Sequence, residues 1–160
     1  MKKIFLSIVI IASAFLQQGF AQESKADQTS RLLTSYYNLK DALVKSNAAT
    51  ASVSASEFVK ALSEIAGEKL KVEDRNSLLA DAEAISKSKD LKVQREKFAT
   101  LSVNMFELAK KVKLSADPVY QQYCPMKKAY WLSNESAIKN PYYGNQMLTC
   151  GKVTETIKQN

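Results

Sequence analysis

Residues 90–112 read DLKVQREKFATLSVNMFELAKKV, and they decide the fold. Leu91, Phe98, Leu101, Met105, Leu108 and Val112 recur at helical spacings of three, four and seven, which gathers them into one apolar stripe with the charges outside it. Asp90 stands ahead of the stripe as an N-cap. The spacing predicts an amphipathic helix of about 20 residues. In this reading Phe98, Met105 and Phe106 are core side chains rather than a cofactor box.

Three more helices are expected upstream. Leu32, Leu33, Tyr36, Tyr37, Leu39, Leu43 and Val44 share a broad face that starts after a cap at Thr29 or Ser30 and ends at Asn47. Ser54 and Glu57 are spaced as a capping box, and Phe58, Val59, Leu62, Ile65 and Ala66 follow on one side before Gly67. The small polar run AATASVSAS ahead of that box reads as a loop. A third helix is expected from Glu73 to Ser86, with Leu78, Leu79, Ala82 and Ile85 inward. Four amphipathic helices on short connections predict an all-α fold, an antiparallel up-down four-helix bundle over about residues 29–114.

The composition changes at Asp117-Pro118. The last 43 residues hold all three prolines, the single tryptophan, five of the seven tyrosines and both cysteines. An irregular cap over about residues 117–157 is expected, with turns at Cys124-Pro125, Asn140-Pro141 and Gly144-Asn145. Ser133 is placed to cap a short helical turn through Ile138.

The first residues set the compartment. Lys2 and Lys3 precede a 13-residue apolar run from Ile4 to Leu16, and Gly19 and Ala21 are small residues at the positions a signal peptidase requires. The run falls short of the ~20 residues that span a bilayer. A cleaved leader over residues 1–21, export to the periplasm and a single domain over residues 22–160 are the expectation. Without Lys2 and Lys3, 21 basic and 16 acidic residues leave a net charge of +5, spread along the helices without the aromatic-rich basic stripe of a nucleic-acid binder.

The chain has no histidine, which removes Ser-His-Asp and Cys-His catalysis, His-ligated zinc and imidazole proton relays. Asp81 and Glu83, two apart on a helix, do not share a face as an acid–base pair would. A non-enzymatic protein is expected.

The soft donors lie together. Cys124 and Met126 are two apart, Met147 and Cys150 three apart, so each pair can present two sulfurs to one point if the first is extended and the second is a helical turn. Thiolates and thioethers select Cu(I), and by extension Ag(I). A disulfide between Cys124 and Cys150 is the structural alternative, worth ~3 to 4 kcal/mol for a closed loop of 27 residues. A redox-switching or free-thiol pair is the third option. Lys127 and Lys128 beside Cys124 favour its thiolate.

The segments Tyr123-Cys124-Pro125-Met126, Tyr130-Trp131-Leu132-Ser133, Asn140-Pro141-Tyr142-Tyr143-Gly144 and Met147-Leu148-Thr149-Cys150-Gly151 resemble the signature of an exported bacterial domain family of unknown function, across the whole mature chain. Members of that family occur alone and fused to or beside periplasmic adaptor subunits of heavy-metal efflux pumps. The resemblance implies a role near copper or silver handling, with such an adaptor as partner. The Tyr-Cys-Pro-Met run is also similar to the short heavy-metal-binding domain of those adaptors, in which a histidine and a proline follow the methionine. Lys127 and Lys128 stand at those positions here and remove a nitrogen ligand.

Overall fold

A computed structural model describes residues 25–65 and 70–158. The leader read over residues 1–21 and the expected helix stop at Gly67 lie outside the described residues. Four helices come first: α1 Lys25–Val44, α2 Ala48–Glu64, α3 Val72–Lys87 and α4 Leu91–Lys111. They are followed by three strands, β1 Val119–Cys124, β2 Ala129–Ser133 and β3 Lys152–Ile157. Among the described residues no helix is long and apolar enough to cross a membrane.

The four helices are where the apolar periodicity put them, with two starts corrected. α1 already runs from Lys25, so Thr29 and Ser30, expected as its cap, lie inside the helix, and the Thr29 hydroxyl donates to the Lys113 carbonyl at 3.1 Å. The run expected as a loop ahead of Ser54 is the first half of α2. Asn47, expected as the end of the first helix, is extended and its side chain accepts from the Thr50 backbone N–H at 3.0 Å, so the cap lies seven residues before Ser54. The alanines and serines that hid this helix let it pack closely, and Ala51, Ser54 and Ala55 are buried. Buried Gln94 of α4 ties the α2 start and the α3 end together: its Nε2 donates to the carbonyls of Ala48 (3.0 Å) and Ser88 (2.8 Å). Asp90 caps α4 as expected, accepting from the Lys92 N–H at 2.7 Å.

The all-α expectation is overturned by the C-terminal part. Residues 119–157 build an antiparallel three-stranded sheet of order β2-β1-β3, so the fold is mixed α and β, and the cap is not irregular. β1 and β2 form a hairpin with Cys124 opposite Ala129 and Gln122 opposite Trp131, while β3 returns antiparallel to the other edge of β1. The β1–β3 register shifts between Gln121 and Gln122, with Thr154 the extra residue in β3. β1 pairs with β2 in regular register, so the two glutamines face opposite sides of the sheet, and both are buried, which erases the period-two signal of a strand. Ser133 does not start a helix; its Oγ accepts from the Glu135 N–H at 3.1 Å in a local turn.

β2 seats the sheet on α4 and α1. Its Trp131 and Leu132 are fully buried, and their neighbours include the stacked pair Tyr36 and Phe98, with ring centroids 5.2 Å apart. Phe98 and Trp131 each lie 6.0 Å from the Tyr142 ring, so α1, α4, β2 and the loop before β3 share one aromatic core. Full burial of such rings is worth about 1.5–3 kcal/mol each.

Candidate functional site

The site is assembled at the end of the β1–β2 hairpin. Cys124 closes β1 and is fully buried, and Cys150 ends the loop that leads into β3 and is half-buried. Asn140, itself fully buried, shapes that loop. Its Nδ2 donates to the Cys150 carbonyl at 2.7 Å, its Oδ1 accepts from the N–H of Tyr142 at 2.8 Å, and its own N–H donates to the Leu148 carbonyl at 2.8 Å. One asparagine thus sets where Cys150 stands. Gly151 follows it, against Trp131 and the Tyr123 carbonyl, with an added Cβ 2.9 Å from each.

Both cysteines are free thiols, and the pair is 4.1 Å apart. A sulfur–sulfur bond measures ~2.05 Å, so the structure does not carry the disulfide alternative. Burial, and then the neighbouring Cys124, hold the Cys150 thiol above its ordinary pKa. Close by, the Tyr142 hydroxyl donates to the Tyr130 carbonyl. Its own pKa is pushed well up by burial first and by Tyr36 next, with Cys124 acting in the same direction.

The two methionines are placed by turns. Residues 125–128 form the hairpin turn, so Met126 leaves the strand rather than continuing it, and it is 62% exposed. Met147 ends a 3-10 turn over Gly144–Gln146 and is half-buried, and its carbonyl accepts from the Cys150 N–H at 3.0 Å. Among the described residues no three Cys, Asp or Glu side chains gather as a metal cluster. The structure thus brings two thiols together, with the two methionines on adjoining turns, and thiols and thioethers are soft donors.

The model of a protein family of unknown function, DUF3347, matches residues 32–117, just over half of the chain. The chain belongs to that family. The DUF3347 region takes in all but the first turns of α1 and runs to Asp117, where the composition changes, so the sheet and both cysteines lie beyond it. The signature resemblance over residues 123–151 thus falls outside the matched residues. No curated protein and no solved structure matches the chain.

Asn140 and Arg95 position the site; in the sequence Asn140 stands out only as a turn and signature residue, and Arg95 does not stand out. Asn140-Pro141 signals a turn, and an asparagine there can bond the backbone two residues on, which is the signal that could have found it. Arg95 had none. Its Nε donates to the Pro141 carbonyl at 2.9 Å and its Nη2 to the Leu43 carbonyl at 3.1 Å and Ser46 Oγ at 2.8 Å, which clamps the loop to α4 and to the end of α1.

Proposed function

We propose that this is a non-enzymatic protein of the cell envelope that binds or hands over Cu(I) or Ag(I) through Cys124 and Cys150, with Met126 and Met147 as thioether donors on the approach. One observation carries the reading: two free thiols, one buried and one reachable, 4.1 Å apart. Two thiolates each ~2.3 Å from one ion stand ~3.8 Å apart at a tetrahedral angle and ~4.6 Å apart when linear. The spacing therefore suits a single bridging ion without rearrangement of the hairpin. Met126, exposed at the hairpin turn, suits capture or transfer of the ion from a partner.

The signal-peptide reading supports a periplasmic location, and the signature resemblance supports an efflux adaptor as the partner. Competition of the reduced protein with a colorimetric Cu(I) chelator tests the reading. One Cu(I) per chain is expected, with binding lost in the Cys124→Ser, Cys150→Ser double variant; unchanged affinity in that variant rejects the site.

A further inference from the structure

A cavity of about 380 Å³ is lined by Lys92 and Arg95 of α4, Lys127 of the hairpin turn, and Tyr142, Tyr143 and Gln146 of the following loop. Three of its walls are cationic, and no carboxylate lines it. Among the described residues neither Lys92, Lys127 nor Arg95 forms an ion pair. Arg95 is already fixed by bonds from Nε and Nη2, and among the described residues its Nη1 edge meets no hydrogen-bond acceptor. Burial, with no opposing carboxylate, lowers the Arg95 pKa from its ordinary value.

The rest of the lining is aromatic and amide. The Tyr142 hydroxyl is committed to the Tyr130 carbonyl, and Leu91 adds an aliphatic side. The volume exceeds what a bare inorganic ion needs and falls in the range of small-molecule sites, ~300–1,000 Å³. A fixed guanidinium edge with two flexible ammonium groups suits a carboxylate or phosphate head, whose oxygens accept charge-assisted hydrogen bonds, and the rings suit an apolar body behind it.

We propose that this cavity binds a small organic anion, a carboxylate or phosphate monoester carrying an apolar or aromatic group. The site is independent of the metal reading. Its lining residues Lys127 and Gln146 adjoin Met126 and Met147 in the chain, which makes the two methionine methyl groups reporters of occupancy.

The test is an NMR titration of the reduced, metal-free protein with phenyl phosphate, benzoate and inorganic phosphate at constant ionic strength. Saturable shifts of the Met126 and Met147 methyls and of residues 143–146 are expected with at least one aromatic anion, more tightly than with inorganic phosphate. A Lys92→Gln, Lys127→Gln variant, which removes no side-chain hydrogen bond of the fold, is expected to weaken that binding at least about tenfold. A Lys110→Gln, Lys113→Gln variant on another basic face is expected to leave it unchanged. Non-saturating shifts, equal loss in both variants, or binding to phosphatidylglycerol vesicles without binding to either aromatic anion would overturn the proposal.

Discussion

The hydroxyl of Tyr36, in α1, accepts a hydrogen bond from the backbone N–H of Leu132 at 3.0 Å, 96 positions later in β2. β2 is an edge strand, and such edges leave unpaired N–H groups that must find partners when buried. The same hydroxyl lies 2.7 Å from Ser102 Oγ of α4, so one buried phenol joins the helices to the sheet.

Tyr36→Phe therefore strands a buried N–H and takes one hydrogen-bond partner from buried Ser102. Its expected cost is about 1–3 kcal/mol in urea unfolding, with the sheet and helices still lost in one transition. A variant as stable as the parent would contradict the bridging role.

Alkali should weaken the fold from the same cluster. Burial first raises the pKa of Tyr36, Tyr37 and Tyr142 above the ordinary tyrosine value, so at high pH the unfolded chain gives up these protons before the folded one does. Their contribution is complete below about pH 10, the unfolded tyrosine range, and is lost as pH rises above it. Unfolding midpoints are expected to decline gently from about pH 8.5, where the raised Cys150 thiol acts with the same sign, and more steeply above about pH 10. A midpoint that rises above pH 10 would contradict this.

Gly144→Ala probes the clamp on the loop that holds Cys150. Gly144 has φ +56°, and an added Cβ would stand 2.5 Å from Ser46 Oγ and 2.7 Å from the Val44 carbonyl. Left-handed backbone costs a non-glycine residue roughly 1–2 kcal/mol before any clash. A total loss of about 2–4 kcal/mol is expected, with faster amide hydrogen exchange in residues 140–150. Unaltered exchange there would separate the loop from the clamp.

Much of the bundle was legible because α4 and α1 carry long, regular apolar stripes around Phe98 and Leu39. The start of α2 was not, since a run of alanine and serine has neither a stripe nor a breaker, and tertiary packing of Ala51 and Ala55 decides it. The sheet escaped for other reasons. Its strands are five or six residues long, β1 buries residues on both faces, Gln121 and Gln122 among them, and β3 is largely exposed on both faces, so KVTETI has no buried side to display. At the site, the meeting of Cys124 and Cys150 was legible as an option, while bonded or free was not, because a separation of 4.1 Å depends on the loop held by Asn140. The basic cavity draws on residues 91–95, 127 and 142–146, which only the folded chain brings together.

Metal affinity should depend on pH. The Cys150 thiol is held above its ordinary pKa, so at neutral pH an incoming ion displaces its proton. Apparent Cu(I) affinity is expected to rise about tenfold per pH unit from Cys150 alone, measured by chelator competition between about pH 6 and 8. A flat profile would mean that Cys150 does not bind as a thiolate.

The most direct test of the central claim is X-ray absorption at the copper edge of the Cu(I)-loaded, reduced protein. The account predicts a first shell made of sulfur, two thiolates with one or two thioethers, that disappears in the Cys124→Ser, Cys150→Ser variant. A shell of nitrogen or oxygen, or a sulfur shell that survives in that variant, would contradict it.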